Sequence, residues 1–354
     1  MSGLHRLLKM DPLPMAGARV GFLGHHASVT SSGLHAIDAL SGRTDWTITR
    51  LFSPEHGFFG LAGPGESVDH ALHPKWNLPV HSLYGEFRSP DPEWLQDLDL
   101  MVVDLQDLGV RCYTYASTLQ NMLQACAKAS LPVLVLDRPI PLAGIVDGPR
   151  LDPSCKSFVG QVPLPLVYGM SQGKLALYLK KNDYDLRELD LQVLDQEASA
   201  PASSWIPPSP AIVSVEAALL YPLTVWSEAI PDVWVDRGGP RSFQCWAMPD
   251  LSRSTAEDLS ASLNLPGIHC TAQDFETPKG SWSGLAFQLD PCTSLLPVTA
   301  AVQLLCKLRD LMGKDRFFAS PDSRPEFFDQ LMGTETVRSQ ISSGLSSEEI
   351  CSWA

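Results

Sequence analysis

The sequence predicts an α/β protein in which a mostly parallel sheet, covered by helices on both faces, is followed by a smaller α+β domain. Short apolar runs rich in β-branched residues alternate with helical patterns through the first half, which is the signature of strands joined by helical crossovers. Two of these runs, 100–105 and 131–136, are apolar almost throughout, as central strands buried on both faces require. A stretch of Ala, Ser and Pro then separates this half from a segment of different pattern.

Strands are expected at 18–23, 46–52, 98–105, 131–136 and 189–194, and helices at 32–40, 118–129 and 172–181, where apolar residues recur at three and four spacing. From 197 to 210 the chain ends in Trp205-Ile206-Pro207-Pro208-Ser209-Pro210, where proline excludes both helix and interior strand. The expected organisation is therefore a domain over 1–196, a connection over 197–210 and a smaller domain over 211–354. In the last, a helix is expected at 215–220, strand-like pieces at 284–289 and a strongly apolar helix at 298–312.

The 354 residues suffice for two buried cores. With 26 Lys and Arg against 40 Asp and Glu, the formal charge is -14, and no basic run could neutralise a row of phosphates, so nucleic acid is not an expected partner. No segment reaches the roughly 18 unbroken apolar residues of a membrane span. Asp11, Pro12 and Pro14 interrupt the place where a signal peptide carries its apolar region. The eight cysteines are dispersed, without a CxxC pair, and read as reduced thiols of a cytoplasmic protein. Proline, at 29 residues, exceeds the roughly 18 that ordinary usage predicts, so many stiff loops are expected.

In open α/β sheets the ligand crevice lies beyond the carboxyl ends of the strands. Here those positions hold Ser53-Pro54-Glu55-His56-Gly57, then Asp104, Gln106, Asp107, Arg111, Tyr113 and Tyr115, then Asp137-Arg138-Pro139. No cofactor is expected: Gly24-His25-His26-Ala27-Ser28 after the first strand lacks the glycine turn that admits a pyrophosphate, and no Walker-type loop occurs. No metal is expected either, because His25, His26 and His56 do not share a helical ligand spacing. Cys112, beside Arg111 and without an adjacent base, reads as a buried thiol.

Carboxylate chemistry remains. A glutamate in an apolar setting retains its proton toward neutrality and can act as a general acid, while a second carboxylate stabilises positive charge or activates water, the logic of glycoside hydrolysis. Glu55, between Pro54 and Phe58-Phe59, is the leading residue. Asp104 is expected to end a strand or pair with an arginine, Asp107 to serve a turn, and Asp137 to pair with Arg138 or Arg111. Tyr113 and Tyr115 alternate as in a strand, with one facing the core.

The ordered blocks are specific. Leu51-Phe52-Ser53-Pro54-Glu55-His56-Gly57, Leu78-Pro79-Val80-His81-Ser82-Leu83-Tyr84-Gly85, Asp104-Leu105-Gln106-Asp107-Leu108-Gly109-Val110-Arg111-Cys112-Tyr113-Thr114-Tyr115, Val135-Leu136-Asp137-Arg138-Pro139 and Arg324-Pro325-Glu326-Phe327-Phe328-Asp329 resemble the signature of the exo-β-N-acetylmuramidase family. The resemblance runs from about Arg19 to Ile350. It implies a Rossmann-like domain plus an auxiliary domain, with the active site in the cleft between them. The implied activity is release of terminal β-linked N-acetylmuramic acid from the non-reducing end of peptidoglycan fragments in cell-wall turnover. Members usually continue past 347–350 into a further helix and an aromatic-rich tail.

Carried over residue by residue, the resemblance implies Glu55 as the catalytic acid/base, with Glu228 or Asp107 as second carboxylate. His56, Gln106, Arg111, Tyr113, Tyr115, Arg138 and Arg237 fall to substrate binding, with Arg111 in particular reading the lactyl carboxylate of the sugar. Trp226 or Trp234 are further surfaces on which a sugar could stack. The chain departs from the family at His25-His26-Ala27-Ser28, at Ile140 and at Lys174, each of which replaces a polar or acidic residue usual there. Two other readings follow from those departures: a non-catalytic muropeptide-binding or sensing protein, and a glycosidase for a related amino sugar.

Overall fold

The computed structural model describes residues 2–195, 205–230, 232–313, 318 and 322–353. The chain forms two compact units: Met1–Gly109 with Tyr113–Ala143 and Met170–Pro210, and Val110–Cys112 with Gly144–Gly169 and Ala211–Ala354. This differs from a contiguous division, because residues 144–169, expected in the first domain, belong to the second unit. Part of the expected connection, 197–204, lies outside the described residues, and 205–210 belong to the first unit.

Strands follow in the order β1 (Ala18–Gly24), β2 (Trp46–Ser53), β3 (Ala71–Leu72), β4 (Pro79–Ser82), β5 (Leu100–Asp104), β6 (Val133–Leu136), β7 (Asp147–Arg150), β8 (Pro165–Val167) and β9 (Leu191–Leu194). The first unit holds a seven-stranded sheet in the order β3-β4-β2-β1-β5-β6-β9, parallel except at the edge strand β3. Every residue of β5 and β6 is buried, and both strands are interior, as their apolar sequences require. Helices α1 (Gly3–Leu8), α2 (Ala36–Leu40), α3 (Tyr115–Lys128) and α4 (Gln172–Asn182) belong to this unit. Helix α2 begins four residues later than its apolar pattern suggests, because the His35 ring accepts the Ile37 N–H and caps it there.

Register positions the site. Leu23 pairs with Phe52 on one side and Val103 on the other, and Gly24 pairs with Asp104. The residues just after β1, β2 and β5 therefore leave the sheet side by side at one edge. Below them, Val20, Phe22, Leu51, Val102, Leu134 and Leu136 pack with Leu4 and Leu7 of α1 in one buried cluster.

In the second unit, β10 (Cys245–Ala247), β11 (Ile268–Thr277) and β12 (Gly280–Leu289) form an antiparallel sheet in the order β10-β12-β11, and β7 and β8 form a two-stranded ribbon. The helices are α5 (Val215–Thr224), α6 (Arg253–Ser262), α7 (Pro297–Met312), α8 (Pro325–Met332), α9 (Thr336–Ser343) and α10 (Ser347–Ile350). The hairpin of β11 and β12 begins well before the expected 284–289, because His269, Thr271 and Gln273 give β11 a polar, exposed pattern. Asp147 of β7 is buried and accepts from the N–H groups of Val298 and Thr299 (2.7 and 3.0 Å) and from Thr299 Oγ1 (2.7 Å), so it satisfies the open donors of the first turn of α7. Replacing Asp147 with Ala is expected to lower stability by about 1–2 kcal/mol, read as a lower urea midpoint.

Candidate active site

The strand edge of the first unit carries Glu55, which is 8% exposed. Its carboxylate is not in the apolar setting the sequence suggests: Oε1 accepts the Gly65 N–H (2.8 Å) and Oε2 accepts the Thr114 hydroxyl. Thr114 stands at the N-cap of α3 yet makes no cap hydrogen bond with its side chain, since its proton goes to Glu55. Burial raises the pKa of the nearby Tyr84 phenol, and the Glu55 charge raises it further.

His56 makes the geometry possible. Its φ of 70° and the 76° of Gly57 turn the chain back on itself, and its Nδ1 bonds the Ala62 carbonyl (2.8 Å). The loop so closed returns Gly65 to the carboxylate. It packs on the His26 ring: a Cβ at Gly60, φ 69°, would fall 2.0 Å from His26 Nδ1. His26 Nε2 in turn bonds the Pro207 carbonyl (2.8 Å).

His25 is wholly buried and ties the strand ends together. Its Nε2 accepts the Gln106 N–H (3.0 Å), which leaves the proton on Nδ1 facing Tyr115 Oη (3.3 Å). Tyr115 Oη lies 2.9 Å from the Pro208 carbonyl and 3.3 Å from that of Glu55. The sequence alone read His25 as the loss of a polar group; the fold makes it the junction of four segments. Burial holds its pKa well below the usual histidine value, reinforced by the neighbouring His26 and Arg138 charges, so it is a neutral ring.

Tyr113 and Tyr115 are both buried, with ring centroids 4.7 Å apart. Burial raises both phenols, and the nearby Asp107 and Glu55 charges raise them further, so both remain protonated beside two carboxylates. Asp107 is also wholly buried, with Oδ1 on the Leu108 N–H (2.8 Å) and Oδ2 on Gln172 Nε2 (2.7 Å). Gln106 gives its side-chain amide to the Pro139 carbonyl (2.8 Å).

Two of the arginines expected at a ligand turn inward instead. Arg138 forms a buried bidentate pair with Asp104 and donates to the Val29 carbonyl (3.0 Å). Asp137, expected to pair with an arginine, accepts from Ser171 Oγ (2.8 Å) and the Gly173 N–H (2.7 Å). Burial raises its pKa, and these bonds oppose the rise. Ile140 is buried and Lys174 is exposed on α4.

In the second unit Arg111 is 0% exposed and donates to four carbonyls: Pro149 (3.0 Å) and Leu164 (2.6 Å) from Nη1, Leu331 (3.3 Å) and Met332 (2.6 Å) from Nη2. Burial lowers its pKa to about 10, which leaves it a cation. Such a group fastens β7, the start of β8 and the end of α8; it does not reach an anion in solvent. Gly333 follows α8 with φ 82°, and a Cβ there would lie 2.1 Å from Arg111 Nη2. Cys112 is buried against Tyr221 (3.7 Å), its thiol pushed up to about 12 by burial. Glu228 is ion-paired with Arg237, whose side chain is 34% exposed. Trp226 is wholly buried and bonds the Leu223 carbonyl (2.6 Å), so no sugar stacks on it; Trp234 is half-buried.

Among the described residues, no cluster of His, Cys, Asp and Glu could hold a metal, and no helix is long and apolar enough to cross a membrane. The chemistry available to the first unit is that of an anchored carboxylate flanked by hydroxyl donors.

Comparison with known proteins gives a consistent result. A family model described as exo-beta-N-acetylmuramidase NamZ, N-terminal, matches residues 20–216, and its C-terminal counterpart matches 219–354. The chain is 32% identical over 361 residues to the peptidoglycan beta-N-acetylmuramidase NamZ of Bacillus subtilis (strain 168), covering 99% of this chain and 86% of that one. Two crystal structures of DUF1343 family proteins from Bacteroides fragilis are similar. One has a TM-score of 0.89 at 26% identity, covering 99% of this chain and 93% of that one. The other has a TM-score of 0.77 at 27% identity, covering 100% and 93%.

Replacing Arg111 with Met strands several buried carbonyls at about 1–3 kcal/mol each; a marked fall in the thermal midpoint is expected, and Gly333→Ala should act in the same direction. His25 carries a pH signature. Its folded pKa lies below its unfolded value near 6.5, so its neutral ring adds no penalty above that pH and stability falls as pH drops from about 6.5 toward the folded value. Thermal midpoints measured between pH 7.5 and 5 should fall less steeply in His25→Asn than in the wild type.

Proposed function

The chain belongs to the exo-β-N-acetylmuramidase NamZ family, and from that premise we propose that it is a glycosidase that releases terminal β-linked N-acetylmuramic acid from the non-reducing end of peptidoglycan fragments, in cell-wall turnover and recycling. The observation that carries the reading is the placement of Glu55, held between the Thr114 hydroxyl and the Gly65 N–H at the end of β2. A general acid must present one oxygen to a leaving group in a fixed direction, and a carboxyl tethered from two sides does so.

In the reaction, protonated Glu55 gives its proton to the glycosidic oxygen as the bond from that oxygen to the anomeric carbon breaks. Positive charge develops on the ring, water adds to the anomeric carbon, and the carboxylate takes back the proton that water loses. Thr114 suits both stages, because its hydroxyl donates to one carboxyl oxygen whether or not the other carries the proton. Asp107, and Glu55 once it has given up its proton, supply negative charge beside the tyrosine pair. Asp107, buried and bonded at both oxygens, acts through its charge and through its hold on Gln172, not as a nucleophile. The substrate's own 2-acetamido group is able to meet the cation, and Glu228, ion-paired with Arg237 in the second unit, is the other carboxylate that the family resemblance offers. Gln106, Tyr113 and Tyr115 shape the site, with His56 as its hinge.

The departures from the family do not strip Glu55 of its partners. His25 supplies hydrogen bonds of its own, Lys174 faces solvent, and Ile140 fills space. This supports turnover over binding alone. With a chromogenic β-N-acetylmuramide, Glu55→Gln is expected to lower kcat/KM at least about 1,000-fold while the folded state persists. A mutant as active as the wild type would remove Glu55 from the chemistry.

A further inference from the structure

A cation lies one tyrosine away from Glu55 in a segment to which the resemblance gave no role. Tyr84, two residues after β4, is buried, and the Leu83 N–H beside it donates to the Ser53 carbonyl (2.9 Å), which sets Tyr84 against the loop that carries Glu55; burial and the Glu55 charge raise its phenol pKa, and Arg88 opposes the rise. The guanidinium carbon of Arg88 sits 3.7 Å from the centre of the Tyr84 ring. The backbone is fixed on both sides: the Tyr84 carbonyl accepts the Val68 N–H (2.8 Å), and the Arg88 carbonyl accepts Asn121 Nδ2 of α3 (2.6 Å). The arginines that the resemblance offered for an anion are committed elsewhere, Arg111 to four carbonyls, Arg138 to Asp104 and Arg237 to Glu228.

We propose that Arg88 recognises the lactyl carboxylate of the muramoyl ring whose glycosidic oxygen Glu55 protonates, an assignment that rests on the muramidase reading above. The lactyl group is carried on O3 of the sugar, two ring atoms from the anomeric carbon, so its carboxylate lies to one side of the scissile bond, as Arg88 lies to one side of Glu55 across the Tyr84 ring. Stacking engages the face of a guanidinium, whereas bidentate carboxylate binding uses its edge, so both occur together. There is also an electrostatic need. An anionic sugar approaching the buried Asp107, in a chain of net charge -14, is repelled unless a cation is focused at the site.

The test compares a chromogenic β-N-acetylmuramide with its lactyl methyl ester, which keeps the bond to be cleaved and removes the negative charge. The wild type should prefer the free acid by about 100-fold in kcat/KM. Arg88→Met should lose that preference by slowing on the acid alone, and Arg88→Lys should retain a part of it. Equal losses on acid and ester, accompanied by a shifted pH profile, would make Arg88 a positioning residue acting through Tyr84 and overturn the proposal, as would an undiminished preference. If Arg88→Met does not fold, as judged by circular dichroism, the acid-to-ester ratio of Arg88→Lys decides. A wild type that cleaves neither compound would instead sink the muramidase reading.

Discussion

The buried imidazole of His25 joins the ends of β1 and β5, the start of α3 and the 205–210 segment, and the first unit's site is built around that junction. One ring nitrogen accepts a backbone N–H from Gln106 and the other faces Tyr115 Oη, which reaches the carbonyls of Glu55 and Pro208. A ring buried at this depth is stable only as a neutral tautomer with both nitrogens satisfied. That requirement sets where Tyr115 stands, and with it the backbone of Glu55. Beside it, the parallel register aligns the three strand ends, so that a short polar bond network spans segments far apart in sequence.

Charge is handled by the same rule. Buried ions need partners, because desolvation penalises an isolated one by several kcal/mol. Arg138 meets Asp104, and Arg111 meets a ring of backbone carbonyls that neutralises nothing but satisfies its donors. Both are therefore parts of the scaffold. Glu55 is different: its carboxylate is held by the Thr114 hydroxyl and the Gly65 N–H, both neutral donors. A scaffold of ions with satisfied hydrogen bonds around one carboxyl held by neutral donors is an arrangement suited to proton transfer.

Much of this was legible in the residues. Apolar runs of six to eight residues located β1, β2, β5 and β6, since a strand buried on both faces admits few polar side chains. Glu55 stood out because Ser53-Pro54-Glu55-His56-Gly57 continues neither strand nor helix. Helix α1 and strand β11 did not stand out: the first is a short segment whose Leu4 and Leu7 are buried only once the sheet and α2 are in place, and the second presents an exposed polar face to solvent. Thr114 and Tyr84 were visible inside the signature blocks, but only as neighbours of better candidates. Nothing in either residue's local sequence says that it stands beside Glu55.

Residue chemistry and periodicity, both local properties, therefore settled the class of fold and singled out one strand edge and one carboxylate as candidates. The choice of partner is not local. Whether Arg111 reads a ligand or fastens Pro149, Leu164, Leu331 and Met332 depends on segments up to 221 positions away, and the assignment of residues 144–169 to the second unit depends on pairings of the same kind. Hydrogen bonds act over a few ångströms of space with no regard for sequence distance, so only the folded chain could decide which arginines are scaffold, which histidine is a junction, and which tyrosine stands between Glu55 and a cation.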